Sequence, residues 1–221
     1  MENALVIGSS GGIGAAVAAA LQTRGTAVTG VSRRVNGLDI TNDASVASVL
    51  STVDAPFDLV VVATGALEIN DAKPEKTIKA ISGQAMLDQF ALNTVGPALV
   101  LGHAARLLPR DRRSVFAVLS ARVGSIGDNR LGGWVSYRSA KAAVNQVVRC
   151  AAIELARSHS KAAVVSLHPG TVATRFTEKY VGRHPAVPPA EAAQNLLAVM
   201  DGLTPDQTGQ FFDWSGAEIP W

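Results

Sequence analysis

The stretch ALVIGSSGGIGAAVAAALQTRG, residues 4–25, decides the fold of this chain. A short apolar run leads into a turn rich in glycine and serine, and an alanine-rich stretch typical of a helix follows directly. Glycine permits tight turns and leaves no side chain between the backbone and a ligand. The first turn of a helix offers unpaired N–H groups and partial positive charge, which suit a pyrophosphate. The stretch therefore predicts a strand, a ligand-binding turn and a helix; a tight turn that holds no ligand is the alternative.

The composition of the chain fits one globular domain. Its 221 residues are 48% hydrophobic and 17% charged, with a net charge of +2, which argues against disorder and against nucleic-acid or membrane partners. No apolar run reaches the ~18 residues of a membrane span, and no charged leader precedes the first strand, so we expect a cytoplasmic protein. The single cysteine, Cys150, excludes an internal disulfide and is expected to be a small core residue. No residue cluster has metal-ligand spacing, so no metal is expected.

Short runs rich in Val, Leu and Ile alternate with helical stretches along the whole chain. The runs show little polar alternation, as expected for strands buried on both faces of a parallel sheet. The predicted strands are 4–8, 26–32, 57–64, 114–120, 162–169 and 209–214, and the predicted helices are 12–24, 43–52, 84–108, 137–158 and 189–201. This order predicts an α/β fold in which residues 1–221 form one domain. Its core is a single doubly wound, Rossmann-type parallel sheet with helices on both faces.

One connection is too short for this pattern. Only RRVNG, residues 33–37, separates the second strand from LDI at 38–40. Parallel neighbours normally need a crossover of about a dozen residues, usually a helix. We therefore expect the crossover helix between the second strand and a third strand at 38–40 to be missing, and any strand there to be rudimentary.

Motifs spread over the chain together resemble those of the short-chain dehydrogenase/reductase family. They are G-x-x-x-G-x-G at Gly8, Gly12 and Gly14, Y-x-x-x-K at Tyr137 and Lys141, Asn93 within a long helix, and P-G-x-V-x-T at 169–174. The stretch SARVGSIGDN and the ending FFDWSGAEIPW are more particularly similar to a C-factor-like subgroup. That subgroup includes carbonyl reductases and a developmental signalling protein.

The resemblance implies an oxidoreductase that transfers a hydride between NADP(H) and a small carbonyl or alcohol substrate. Tyr137 and Lys141 are four residues apart, so they share one face of a helix. A phenol has a pKa of about 10. We expect the Lys141 ammonium to lower the pKa of Tyr137, which then serves as general acid or base. Asn93 is expected to organise a water that links Lys141 to solvent.

The resemblance also assigns residues to the cofactor. They are Gly8, Ser9, Ser10, Gly12, Ile13, Gly14, Ser32, Arg33, Arg34, Asp39, Ala63, Thr64, Gly65, Pro169, Gly170, Val172 and Thr174. NAD-preferring members carry an acid after the second strand, whereas this chain has Arg33 and Arg34 there. Two guanidinium groups suit the 2′-phosphate of NADP, and a solvated loop pair is the alternative. Asp39 is expected to contact the adenine amino group, and Ala63 replaces the Asn that usually begins the family's N-A-G segment.

One position departs from the family's pattern. Aligned on Gly124, the residue that normally supplies a serine hydroxyl to the substrate carbonyl is Ala121. Ser120 should point to the opposite side of the strand unless the strand end is twisted or bulged, and Ser125 could lend a hydroxyl from the next loop. Losing one such donor can cost about 10²–10³ in rate. A dinucleotide-binding regulatory or signalling protein with little turnover is therefore the alternative function.

The loop at 174–189, where the family has its lid, is short. A short lid suggests an open pocket for a small substrate. Trp134, Phe176 and Tyr180 could form one apolar wall of that pocket, although each could equally be a core residue.

The helices predicted at 84–108 and 137–158 are those through which family members pair. Val144, Val147 and Val148 on the second helix suggest an apolar stripe that needs covering. We therefore expect a homodimer or homotetramer.

Overall fold

The computed structural model describes residues 1–174, 177–180 and 186–221. Its parallel strands form one sheet in the order β2-β1-β3-β4-β5-β6. They are β1 (Asn3–Ile7), β2 (Ala27–Val31), β3 (Leu59–Val62), β4 (Ser114–Leu119), β5 (Ala162–His168) and β6 (Phe211–Asp213). The strand order reverses at β1, and ligands in such sheets bind at the carboxyl ends of the strands beside that reversal. The predicted doubly wound α/β sheet is confirmed.

Helices cover both faces of the sheet. They are α1 (Gly12–Thr23), α2 (Arg33–Asn36), α3 (Asp43–Ser51), α4 (Gly83–Phe90), α5 (Gly96–Leu101), α6 (Ala104–Leu107), α7 (Val135–Leu155) and α8 (Pro189–Gly202). One apolar core packs the sheet against α3, α5, α6 and α7, and it includes Ile7, Phe116 and Val144. A second core packs the other face against α1 and α8, and it includes Val6 and Leu196. Alternate residues of β1, β3, β4 and β5 enter opposite cores, which explains why these strands are almost entirely apolar.

Residues 38–40 form no strand. The Ser32 hydroxyl accepts a hydrogen bond from the Val35 N–H at 3.2 Å and starts α2, and Gly37 ends it in the left-handed region at φ 71°. Leu38 and Ile40 instead bury their side chains in the core against α3 and α5. As expected, no crossover helix links β2 to a strand at residues 38–40. The structure shows the reason, which is that no strand forms there. Helix α3 makes the crossover to β3.

The helix predicted at 84–108 is not continuous. A π-helical turn, Ala91–Val95, separates α4 from α5, and the Gly96 N–H bonds the Ala91 carbonyl across it. Pro97 has no N–H to donate to the carbonyl of Asn93, and a proline ring clashes with the carbonyl four residues earlier. Pro97 therefore favours the wider turn, a feature frequent at functional sites.

Two expectations about α7 are wrong. Cys150 is exposed rather than a core residue, because it lies two residues after the buried Val148 and so faces away from the core. Val144 and Val148 pack inside the chain's own core, so they form no exposed apolar stripe that another subunit would cover. Exposed apolar side chains near the same helix pair are Leu87, Val95 and Ile153.

Neither a membrane-spanning helix nor a metal-binding cluster of side chains occurs among the described residues. No helix among them has the length and apolar character to cross a membrane. No group of three or more His, Cys, Asp or Glu side chains among them could hold a metal ion.

Candidate functional site

Three glycines after β1 let the chain pack closely against two other predicted cofactor segments, those that contain Ala63 and Thr174. A Cβ on Gly8, which has φ 87°, would lie 2.9 Å from the Ala63 carbonyl oxygen. A Cβ on Gly14 would lie 2.2 Å from the Gly8 carbonyl oxygen, and one on Gly12 would lie 2.6 Å from Thr174 Cγ2. Separations this short are not tolerated, so side chains here would push the segments apart.

The start of α1 has the donor set of an anion site. Its cap residue, Gly11, makes no side-chain cap, and the first turn contains no acid. Ser10 is exposed and Ile13 half-buried at this turn. Among the described residues, the buried hydroxyl oxygens of Ser9 and Thr64 have no hydrogen-bond partner. Unpaired buried hydroxyls beside a helix N-terminus fit the pyrophosphate and ribose oxygens of a dinucleotide.

The end of β2 presents charge to solvent. Ser32 is buried, whereas Arg33 and Arg34 are exposed on the single turn of α2. Asp39 Oδ1 accepts hydrogen bonds from the Thr41 hydroxyl at 2.7 Å and the Thr41 N–H at 3.0 Å. These bonds, with the nearby Arg33 charge, hold the pKa of the Asp39 carboxyl below its usual range.

The segment after β5 turns back over the strand ends. Gly170 has φ 78°, and a Cβ there would lie 2.9 Å from Cδ1 of Trp214, so the turn after Pro169 needs glycine. Val172 forms a β-bridge with Val187. Thr174 follows two residues after this bridge. Phe176, which was predicted to line the pocket, lies outside the described residues.

Helix α7 holds Tyr137 and Lys141 on its buried face. Their exposed fractions are 6% and 3%. Lys141 Nζ donates a hydrogen bond to the Leu119 carbonyl at the end of β4 at 2.9 Å, and it lies 5.9 Å from the centroid of the Tyr137 ring.

Burial shifts the pKa values of this pair in opposite directions. It lowers the pKa of Lys141 to about 8, and it raises the pKa of Tyr137 above its ordinary value. The expectation that Lys141 lowers the pKa of Tyr137 is therefore wrong for the chain alone. Burial disfavours the charged form of each group and is the cause of both shifts.

Asn93 meets Lys141 at Gly65. The Asn93 side chain is fully buried, and its amide donates to the Ala66 carbonyl at 2.9 Å and to Gln89 Oε1 at 2.6 Å. A Cβ on Gly65 would lie 2.7 Å from Asn93 Oδ1 and 3.6 Å from Lys141 Nζ. Gln89 was missed by the sequence analysis; its position one helical turn before Asn93 was the available signal.

The family's usual serine position and the two nearby serines that could supply a hydroxyl to a substrate carbonyl have different surroundings. Ala121 is half-buried just beyond β4, whereas Ser120 is buried, with no hydrogen-bond partner for its hydroxyl among the described residues. The Ser125 hydroxyl donates to the Pro220 carbonyl and accepts from the Asp128 N–H at 3.0 Å. Ser125 is committed to these bonds, so the proposal that it lends a hydroxyl to a substrate is not supported.

The loop that follows Ala121 packs directly on α7. A Cβ on Gly124 would lie 2.8 Å from Cβ of Lys141. Arg138 donates to the Val123 carbonyl at 3.2 Å and to the Gly133 carbonyl at 3.0 Å. The loop and the turn before α7 are therefore held against the helix on either side of Tyr137.

An aromatic row leads from Tyr137 to the described part of the lid. The Trp134 ring makes edge contacts with Tyr137 at 6.4 Å and with Tyr180 at 5.5 Å between centroids. The Tyr180 hydroxyl donates to Glu68 Oε1 at 2.5 Å, and Lys179 Nζ donates to Oε2 at 2.6 Å. Partial burial and the Glu68 contact raise the pKa of Tyr180 to about 12. Trp134 and Tyr180 thus form an apolar wall beside Tyr137.

Comparisons with known proteins agree with this geometry. A family model described as enoyl-(acyl carrier protein) reductase matches residues 28–201. Over an alignment 237 positions long, the chain is 31% identical to 1-hydroxy-2-glutathionyl-2-methyl-3-butene dehydrogenase of Rhodococcus sp. (strain AD45), covering 100% of both chains. It is 35% identical over 139 residues to the C-signal protein of Myxococcus xanthus, covering 62% of this chain and 78% of that protein.

A solved structure extends the agreement to the whole fold. A short-chain dehydrogenase/reductase of Burkholderia multivorans with bound NADP superimposes with a TM-score of 0.84, at 27% identity and 99% coverage of each chain. The motifs predicted from the sequence, the matching family model and these relatives all agree. The chain belongs to the short-chain dehydrogenase/reductase family.

Proposed function

We propose that the protein is an NADPH-dependent oxidoreductase acting on a small carbonyl or alcohol substrate, with residues 1–221 as one dinucleotide-binding domain. The observation that carries the proposal is the meeting of Lys141 and Asn93 at Gly65, with the Tyr137 ring centroid 5.9 Å from Lys141 Nζ. NADPH, when bound, supplies the hydride.

The chain's own residues would hold this cofactor at three places. The first turn of α1, with Gly8, Gly12, Gly14 and the unpartnered hydroxyls, suits the pyrophosphate. Asp39 suits the adenine. The Val172 backbone and Thr174 suit the nicotinamide carboxamide, because the contact between Gly12 and Thr174 brings that segment to the glycine turn.

Tyr137 has the protonation state required of an acid. Its raised pKa keeps the phenol protonated near neutrality, ready to donate to the alkoxide that forms when a carbonyl is reduced. Lys141, with a pKa of about 8, remains largely an ammonium at pH 7 and stabilises the phenolate that results. Asn93 would organise the water through which the proton is restored.

The preference for NADPH over NADH rests on the end of β2. Arg33 and Arg34 are exposed directly after β2, where NAD-preferring family members carry an acid, and their guanidinium groups suit a 2′-phosphate. The relative from Burkholderia multivorans was solved with bound NADP.

Substrate and assembly complete the proposal. The wall formed by Trp134 and Tyr180 favours a small, partly apolar carbonyl compound. Leu87, Val95 and Ile153 leave apolar surface near α4 and α7, which favours a homodimer or homotetramer. A cytoplasmic location belongs to the same proposal.

A second function is favoured by one observation. Ala121 offers no hydroxyl to a substrate, Ser125 is bound to Pro220, and Ser120 is buried. A dinucleotide-binding protein with regulatory or signalling activity and little turnover would fit these facts, and the C-signal protein is among the relatives.

NADPH consumption across a panel of aldehydes and ketones, including a glutathione conjugate, separates the two functions. The reductase proposal predicts turnover that falls about 10²- to 10⁴-fold in Tyr137→Phe, because the proton donor is lost. NADPH affinity should be nearly unchanged in that variant. Tyr180→Phe is the matched control, since it removes the only other tyrosine hydroxyl and should retain most activity. Tight NADPH binding without turnover on any substrate would favour the second function.

A further inference from the structure

Helix α7 begins without a cap of its own. Its cap position, Trp134, lies in the left-handed region at φ 51°, makes no side-chain cap, and is followed by a first turn without acidic residues. The first N–H groups of a helix have no partner within the helix and need acceptors from elsewhere. In this chain the acceptors come from Glu75, a residue far away in the sequence.

Glu75 binds the start of α7 through three bonds. Its Oε2 accepts from the Ser136 N–H at 3.2 Å, and its Oε1 accepts from the Ser136 hydroxyl. The backbone carbonyl of Glu75 accepts from the Trp134 N–H at 2.5 Å. Glu75 and Ser136 are 7% and 3% exposed. A buried carboxylate needs such donors, and the partial positive charge of the helix N-terminus favours it further.

Glu75 also belongs to a segment that contacts the other site residues. The segment after β3 is bound at its beginning, where Asn93 contacts the Ala66 backbone and Gln89 Nε2 donates to the Leu67 carbonyl at 2.9 Å. It is bound at its end by Glu75 to α7. One stretch of chain therefore connects the π-helical turn that carries Asn93 to the helix turn that carries the phenol.

We propose that Glu75 is a positioning residue for Tyr137, an inference that rests on the proposed reductase function. Ser136 directly precedes Tyr137, so the three bonds fix the rotation of the first turn of α7 and thereby the direction of the phenol. They also fix the contact between Trp134 and Tyr137. A misplacement of about 1 Å can cost about 10²-fold in rate.

Tyrosine labelled with carbon-13 at Cζ tests this without any substrate. The chain has two tyrosines, Tyr137 and Tyr180, so NMR shows two signals, assigned with the two Tyr→Phe variants. Glu75→Ala should shift or split the Tyr137 signal, Glu75→Gln should do so less because it keeps one acceptor, and Ser136→Ala least. Glu68→Gln is the matched control: it removes the same charge from the same segment, and it should move the Tyr180 signal only.

Kinetics provide the second measurement. Glu75→Ala should lower kcat by about 10- to 100-fold, with a much smaller change in KM for the carbonyl, because substrate still binds beside a misdirected phenol. In a Tyr137→Phe background the same change should have little further effect, since a residue that acts only through the phenol has nothing left to position. A general structural role would lower turnover in both backgrounds.

The outcomes separate this inference from the proposed function. An unchanged Tyr137 signal in Glu75→Ala, or a shift no larger than that in Glu68→Gln, would overturn the inference. If Glu75→Ala does not fold, the same criterion applies to Glu75→Gln. Absence of turnover in the native protein would refute the reductase function and leave the NMR result valid.

Discussion

The two ends of the proposed cofactor site differ in how the chain controls them. At one end, Tyr137 and Lys141 are buried under α7, and burial sets both pKa values. At the other, Arg33 and Arg34 project from a single helical turn into solvent. The buried pair is held in place by packing, so a small displacement of either side chain should have a large effect on turnover. An exposed pair acts by charge alone, with energies that are modest and weakened by salt.

The largest expected effect comes from Lys141→Met at the buried end. Loss of the ammonium removes the stabilisation of the phenolate, so turnover should fall by about 10²- to 10⁴-fold. A steady-state assay with Lys141→Arg alongside, which keeps the charge, measures it. Activity near that of the native protein in Lys141→Met would refute the assigned role of Lys141.

The same substitution should stabilise the fold at neutral pH. The pKa of Lys141 falls from 10.5 to about 8 on folding. As the pH rises, Lys141 therefore loses its proton at a lower pH in the folded state than in the unfolded state. Native stability should therefore rise with pH between about 8 and 10.5, and below that window the buried charge opposes folding at full strength. At 1.36 kcal/mol per pKa unit, Lys141→Met should add at most about 3 kcal/mol at pH 7, less the lost bond to Leu119.

Urea denaturation at several pH values measures this gain. The difference in unfolding free energy between Lys141→Met and the native chain should shrink as the pH passes 8. A constant difference across that range would show that Lys141 does not titrate there.

A smaller effect is expected from Ala121→Ser, at the edge of the buried end. If the missing hydroxyl limits the rate, restoring it should raise kcat about 10- to 100-fold, within the cost of one such donor. Ser120→Ala is the control and should change little, since that hydroxyl is buried. An unchanged rate in Ala121→Ser would show that another group already polarises the carbonyl.

The smallest effects belong to the exposed end. Arg33→Ala and Arg34→Ala should each weaken NADPH binding about 10-fold, as expected for one charged hydrogen bond. NADH binding should barely change, and the loss for NADPH should be smaller at high salt. Fluorescence titrations with both cofactors measure this. Equal losses for NADPH and NADH would contradict the assignment of these arginines to the 2′-phosphate.

The strands and the glycine turn were predictable because their causes are local. Apolar runs such as Leu59–Val62 and the glycines before α1 carry their structural requirement in adjacent residues. The absence of a crossover helix before residues 38–40 also followed from chain length alone. The short connection also indicated that any strand at 38–40 would be rudimentary, but not that Leu38 and Ile40 would instead enter a core built by distant helices.

The unpredicted parts of the site are contacts between distant segments. Glu75 caps a helix that begins 60 residues later, and Ser125 is bound by Pro220 near the other end of the chain. The pKa of Tyr137 was predicted in the wrong direction, because spacing along a helix reveals a neighbouring charge but not the depth of burial. Pro97 was a local indication of the π-helical turn at Asn93, although the continuous helix predicted at 84–108 did not take it into account.

A crystal structure of the protein with NADPH tests the central claim most directly, through the distance between the Tyr137 hydroxyl and the reacting face of the nicotinamide. We expect one substrate carbonyl to fit between them, with its oxygen within hydrogen-bond reach of the phenol. A nicotinamide ring lying away from α7, with no path to that hydroxyl, would contradict it.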